Sequence, residues 1–121
     1  MEYAPRPTYE NELRSLRDTE DIKVLVGVRR CGKSTLLRWL QGDLLDSGVG
    51  AGNVFYRRMD LFGMPTNPNA EWLVGEISAA IEKSDLLKPF YVLLDEIQDV
   101  DGWERVVRQL HTRPNTDVYI T

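Results

Sequence analysis

Apolar residues in this chain follow two different spacings. Short continuous runs, rich in β-branched and aromatic residues, predict buried strands, and they cover residues 22–26, 54–57, 90–94 and 118–120. Elsewhere apolar residues recur every three or four positions, which predicts amphipathic helices over residues 8–17, 33–46, 70–83 and 102–111. The resulting β-α-β-α-β-α-β order predicts an α/β fold, a three-layer α/β/α arrangement with a parallel sheet between helices.

Two of the predicted helices carry a clear apolar stripe. The first stripe consists of Leu36, Leu37, Leu40, Leu44 and Leu45. The second consists of Trp72, Leu73, Ile77, Ala80 and Ile81. Trp103, at the start of the last predicted helix, is expected to anchor that helix in the core rather than to contact a partner. Helices of this kind bury one side against a sheet and expose the other.

Residues 27–34 read Gly-Val-Arg-Arg-Cys-Gly-Lys-Ser, which completes the pattern Gly-x-x-x-x-Gly-Lys-Ser/Thr of a phosphate-binding loop. The glycines let backbone N–H groups turn toward phosphate oxygens, Lys33 brings a positive charge, and the Ser34 hydroxyl is a ligand for Mg²⁺. The loop joins a predicted strand to a helix, whose N-terminus also favours anions. The predicted nucleotide-binding positions are Gly27, Arg29, Arg30, Cys31, Gly32, Lys33, Ser34 and Thr35.

Three side chains of this loop stand at positions that the pattern leaves free. Arg29 and Arg30 have two open interpretations, contact with phosphate or a neighbouring element and an outward salt bridge. Cys31 is the one cysteine of the sequence, so no internal disulfide forms, as is usual in a reducing cytoplasmic compartment. We expect Cys31 to serve as a small side chain in a tight loop rather than as a redox group.

The apolar run at 90–94 ends in Asp95-Glu96, the arrangement called Walker B. A carboxylate at a strand end suits Mg²⁺, which keeps several waters and takes few protein ligands, so Asp95 is predicted to be associated with the metal together with Ser34. Glu96 is predicted to activate a water aimed at the γ-phosphate, and Lys33 to stabilise the transferring phosphoryl group. The cofactors are therefore predicted to be ATP and Mg²⁺.

Two neighbouring residues keep alternative roles. Gln98 either positions the attacking water or signals the nucleotide state, or it forms a cap or loop hydrogen bond. Asp60, just after the second predicted strand, either contacts metal or water or serves a turn or a helix cap.

Taken together, the segment 27–37, the Leu94-Asp95-Glu96-Ile97-Gln98 segment and Trp103 resemble the prokaryotic AAA-type P-loop ATPases. More narrowly, the chain is similar to a family whose ATPase domain precedes a C-terminal domain of unknown function. The resemblance extends from about Tyr9 to Thr121 and implies ATP, Mg²⁺ and a core sheet with strand order 5-1-4-3-2.

The resemblance also implies elements that follow residue 121 in the family: a polar sensor residue, a fifth strand, an arginine finger and a lid. Residues 1–121 are thus expected to form the N-terminal part of a single P-loop ATPase domain, truncated before the sensor, with weak nucleotide binding and poor turnover. Without a fifth strand, strand 1 would be an open edge, which predicts self-association.

Charge and composition limit the partners only loosely. The net charge is −4, so bulk charge does not suggest nucleic-acid binding, although local basic patches leave that question open. The N-terminus lacks the apolar run of a signal peptide, and no run of about 18 apolar residues predicts a membrane span. A protein partner is not identified by any pattern.

Two functional hypotheses follow from these residues. The first is an ATP-binding domain of an AAA-type ATPase that hydrolyses ATP to ADP and phosphate. The second is a nucleotide-dependent switch or interaction module with little turnover, in which the Arg29-Arg30 pair serves a partner. A small-molecule kinase is disfavoured, since such kinases usually lack the Asp-Glu pair and no acceptor pocket is indicated.

Overall fold

A computed structural model describes residues 23–24, 30–61 and 63–121, with side chains described for 23, 36–61 and 63–121. The strands are β1 Lys23–Val24, β2 Val54–Arg58, β3 Phe90–Asp95 and β4 Thr116–Ile120. The helices are α1 Arg30–Asp46, α2 Ala70–Glu82 and α3 Trp103–His111. Single 3-10 turns cover Ala51–Asn53 and Ile97–Asp99.

The four described strands form one parallel sheet in the order β1-β4-β3-β2. This order agrees with the 1-4-3-2 part of the sequence expected from the family resemblance. β3 lies between β4 and β2, and all six of its residues are buried, as expected for a strand covered on both faces. The carboxyl ends of parallel strands meet at one edge of the sheet. Asp95, the last residue of the interior strand β3, lies at that edge.

Helices cover both faces of the sheet, which confirms the three-layer α/β/α prediction for the described residues. On one face, leucines of α1 pack with Tyr91, Leu93 and Tyr119. On the other face, Leu73 of α2 and Val106 of α3 pack in one cluster with the alternate residues of β3 and β4. Side chains alternate between faces along a strand, which puts Asp95 on the same face as Tyr91 and Leu93, the face that α1 covers.

The predicted element boundaries were correct to within a few residues, with three differences. Helix α1 is described from Arg30, three residues before its predicted start, although Gly32 inside a helix costs about 1 kcal/mol relative to Ala. β4 starts at Thr116 rather than at Val118, because the charged side chain of Asp117 is paired with Lys23 on β1 and can therefore be buried within the strand. Leu45 was predicted to be buried and is 40% exposed, since it lies about 100° around the helix from the fully buried Leu44.

The amino end of the sheet is held by a buried ion pair. The ammonium group of Lys23 on β1 donates to the carboxylate of Asp117 on β4, and the Tyr119 hydroxyl donates to the same carboxylate at 3.0 Å. The Lys23 ammonium also lies 5.3 Å from the centre of the Tyr119 ring. A buried charge is tolerated only with such partners, so this group links β1 to β4.

Other predictions concern residues outside those described. The predicted helix over 8–17 and most of the predicted strand over 22–26 lie there. Among the described strands β1 occupies one end of the sheet, and self-association through that edge stays a prediction. Among the described residues, no helix combines the length and the apolar character needed to cross a membrane.

Candidate functional site

The candidate site begins with Asp95, the last residue of β3. Its side chain is fully buried, and its Oδ1 accepts a hydrogen bond of 2.6 Å from the hydroxyl of Thr121, which follows β4. Its other oxygen, Oδ2, is buried and has no hydrogen-bond partner among the described residues. A buried carboxylate oxygen without a partner is costly, so this atom marks a place where a cation or a donor group belongs.

Glu96 leaves the strand with an unusual backbone conformation. Its φ of 57° and ψ of 45° lie in the left-handed region, which non-glycine residues seldom occupy and which is often found at functional sites. Its backbone N–H donates to the Thr121 hydroxyl at 3.1 Å. The conformation turns the chain out of the sheet, and Glu96 is partly exposed rather than buried.

The carboxylate of Glu96 is engaged by its neighbour Gln98. The Gln98 side-chain amide donates to Glu96 Oε2, and Gln98 is exposed in the 3-10 turn Ile97–Asp99. The structure shows one of the two predicted roles of Gln98, a hydrogen bond within the loop. Because this bond is made to Glu96, the predicted catalytic base, the role of Gln98 in the response to nucleotide stays a prediction.

Tyr56 links the site to helix α1. Burial raises the pKa of the Tyr56 hydroxyl, the negative charge of Asp95 raises it further, and the guanidinium of Arg38 on α1 offsets part of the rise. The hydroxyl makes no hydrogen bond within 3.5 Å to a described residue, so the effect of Arg38 is one of proximity. The third turn of α1 is therefore close to the carboxyl end of β3.

Asp60 belongs to a surface ion pair. The Arg58 guanidinium donates to both carboxylate oxygens of Asp60, at 2.6 and 3.2 Å, which lowers the pKa of Asp60 and raises that of Arg58. Arg58 is the register partner of Asp95 in the sheet. The turn interpretation of Asp60 thus describes its contacts, and contact with metal or water stays untested.

The side chains of the phosphate-binding loop lie outside the described set. Gly27 and Arg29 are outside it entirely. Arg30, Cys31, Gly32, Lys33, Ser34 and Thr35 form the start of α1 as backbone, and their side chains lie outside the described set. The predicted roles of these positions, and of Asp95 and Glu96, therefore stay predictions.

Two residues near Asp95 were missed by sequence reasoning. Thr121 was considered only as the residue before an expected sensor, and Tyr56 only as part of an apolar run. The pairing of β3 with both β4 and β2 brings them to Asp95. A strand order inferred from a resemblance would have indicated that the ends of β3 and β4 are adjacent, but not which atoms meet.

Comparison with known proteins agrees with this arrangement. Residues 19–121 match the sequence profile of a family described as "AAA domain". An uncharacterized protein of Haemophilus influenzae is 35% identical over 116 residues, which is 96% of this chain and 28% of that protein. The chain thus spans less than a third of the relative's length. No solved structure matches the chain significantly.

The match covers most of the chain and includes every strand and helix described above. Members of this family are nucleotide-binding modules of the ATPase type. The chain belongs to the AAA domain family.

Proposed function

We propose that this domain binds ATP with Mg²⁺ and hydrolyses it to ADP and phosphate. The observation that carries the proposal is the carboxylate of Asp95, buried at the carboxyl end of an interior strand, with one oxygen held by Thr121 and the other without a hydrogen-bond partner in the described part of the chain. Glu96 follows directly, in a left-handed conformation that turns it out of the sheet. Ligands of parallel α/β sheets bind at this edge.

The residues present fit a magnesium ion. Mg²⁺ takes one or two carboxylates and completes its shell with water and phosphate oxygens. Among the described residues, one Asp95 oxygen has no hydrogen-bond partner, which meets that need, and no group of three or more His, Cys, Asp or Glu gathers into a larger metal site. Asp95 and the Ser34 hydroxyl would hold the ion, which neutralises charge on the β- and γ-phosphates when bound.

Helix α1 supports this assignment of Ser34. Positions four apart share a face of an α-helix, so position 34 precedes Arg38 by one turn on the same face. The Arg38 guanidinium lowers the pKa of the Tyr56 hydroxyl, and the charge of Asp95 raises the same pKa. The beginning of α1 and the end of β3 therefore approach the same region.

The chain's own residues supply the rest of the proposed chemistry. The Glu96 carboxylate accepts a proton from water as the water oxygen bonds to the γ-phosphorus and the bond from that phosphorus to the β,γ-bridging oxygen breaks. Lys33 and the loop N–H groups stabilise the charge that develops on the phosphoryl oxygens. The products are ADP and phosphate.

The test is ATP turnover by the 121-residue chain, measured under single-turnover conditions so that slow hydrolysis is detected. Lys33→Ala is expected to abolish nucleotide binding and turnover. Glu96→Gln is expected to keep binding and to lower turnover by a factor of roughly 10² to 10⁴, the usual contribution of a general base. Lys88→Ala, an exposed lysine just before the opposite end of β3, is the matched control. Turnover that survives Lys33→Ala unchanged refutes the site.

A second function is favoured by the hydrogen bond between Gln98 and Glu96. A predicted base whose carboxylate is already engaged suits a nucleotide-dependent switch with little turnover. This alternative predicts tight ATP binding, slow hydrolysis in the wild type, and hydrogen exchange around residues 96–100 that differs between the ATP-bound and ADP-bound protein. Rapid steady-state turnover, with the same exchange in both states, would exclude it.

A further inference from the structure

Thr121 is hydrogen-bonded to four consecutive residues at the end of β3. Its N–H donates to the Leu94 carbonyl at 3.0 Å, and its carbonyl accepts from the Ile97 N–H at 3.3 Å. Between these two backbone bonds, its hydroxyl donates to Asp95 and accepts from the Glu96 N–H. Thr121, directly after β4, thereby holds the whole segment in which the predicted metal-associated and base residues lie.

The direction of the hydroxyl proton follows from these contacts. A threonine hydroxyl has one proton and two acceptor lone pairs. The Glu96 N–H is a donor, so it must face a lone pair, and the proton is left for Asp95 Oδ1. This bond therefore orients the carboxylate: Oδ1 accepts from Thr121, and Oδ2 is left without a hydrogen-bond partner among the described residues.

The same hydroxyl compensates for the strained backbone of Glu96. A non-glycine residue in a sparsely populated conformation is strained and persists only where neighbouring groups hold it. The bond from the Glu96 N–H to Thr121 Oγ1 joins that conformation to the orientation of the Asp95 carboxylate through a single atom. Valine has nearly the same shape as threonine but offers neither bond.

We propose that Thr121 is a positioning residue, which sets the orientation of Asp95 Oδ2 toward Mg²⁺ and the exit angle of Glu96. The inference rests on the proposed function, because it presumes that Asp95 holds the metal. It assigns to the Thr121 side chain a role in the Mg²⁺-dependent part of nucleotide binding rather than in the stability of the sheet alone.

The experiment measures the dissociation constant of a fluorescent ATP analogue for the 121-residue chain, once with excess Mg²⁺ and once with EDTA. Thr121→Val is expected to weaken binding roughly tenfold in Mg²⁺, as for loss of a hydrogen bond to a charged group, and to leave binding in EDTA unchanged. Thr121→Ser keeps the hydroxyl and is expected to bind within about twofold of the wild type in both conditions.

Thr116→Val is the matched control. Thr116 lies at the other end of β4, where its hydroxyl accepts from Arg113 and donates to the Pro114 carbonyl. The Thr116→Val protein should show the same Mg²⁺-dependent gain in ATP affinity as the wild type. A Thr121→Val protein that retains the full Mg²⁺-dependent gain overturns the role of Thr121. A wild type that binds no nucleotide in either condition overturns the proposed function itself, so the two failures are distinguishable.

A second readout needs no substitution and therefore does not depend on the folding of a variant. The Glu96 amide hydrogen is bonded to the Thr121 hydroxyl, so in the wild type it should exchange with solvent at least tenfold more slowly than in an unstructured peptide. Its protection should increase when Mg²⁺ and nucleotide are added. A Glu96 amide that exchanges at the unstructured rate overturns the proposal.

Discussion

The side-chain amide of Gln98 donates to the carboxylate of Glu96, two residues earlier in the chain. The donor is exposed and belongs to the 3-10 turn Ile97–Asp99, so it can release the carboxylate without disturbing the core. The contact occupies one oxygen of the carboxylate that we propose accepts a proton from the attacking water.

From this contact we predict that Gln98→Ala raises ATP turnover. Loss of a bond worth about 1 kcal/mol at an exposed site corresponds to a roughly fivefold higher kcat, with KM unchanged. The measurement is steady-state phosphate release. Gln109→Ala, which removes an exposed glutamine from α3, is the control. A fall in kcat would mean that Gln98 aligns Glu96 for the reaction instead of restraining it.

The second prediction compares two ion pairs of different burial. Lys23→Met leaves the buried charge of Asp117 without its ammonium partner and should lower the free energy of unfolding by about 3–5 kcal/mol. Asp60→Ala breaks the partly exposed pair with Arg58 and should cost less than about 1 kcal/mol. Both are measured by urea denaturation.

A double variant separates the lost attraction from the stranded charge. Lys23→Met combined with Asp117→Asn removes both charges of this pair and should regain part of the stability lost in Lys23→Met. The idea fails if Lys23→Met costs no more than Asp60→Ala, since the pair would then contribute as little as a surface contact.

The third prediction concerns alkaline pH. Burial, and then the charge of Asp95, raise the pKa of Tyr56 above its ordinary value of 10.0. Because the folded-state pKa is the higher one, the stabilisation from this group is complete below pH 10 and is lost as the pH rises through the raised pKa. Tyr56→Phe should therefore reduce the fall in stability above pH 10.

Ultraviolet absorbance of phenolate checks this assignment directly. The difference between wild-type and Tyr56→Phe titrations isolates Tyr56, which should ionise above pH 10. Asp95→Asn should lower that pKa by removing a negative charge, but not to the ordinary value, since burial is the larger cause. Asp46→Asn, at the exposed end of α1, should not change it. Ionisation of Tyr56 at or below pH 10 would contradict the buried placement.

Much of the fold was predictable because burial on both faces leaves a clear pattern. β3 is a continuous apolar run, and α1 and α2 carry stripes at helical spacing, so their types and approximate bounds followed from the sequence. β4 was predicted too short, since Asp117 is polar in sequence and its buried charge is paired with Lys23, 94 residues away. A local pattern holds no information on such a distant partner.

For the candidate site, the sequence by itself determined the candidates: a phosphate-binding loop before a helix, and an Asp-Glu pair after a buried strand. Those motifs are local, because adjacent backbone groups and a strand end define them. Only the tertiary structure decided which carboxylate oxygen of Asp95 is occupied, that Thr121 is what occupies it, and that Gln98 engages Glu96. These relationships depend on the pairing of β4 with β3 and on the left-handed turn at Glu96, where a change of a few ångströms would exchange one partner for another.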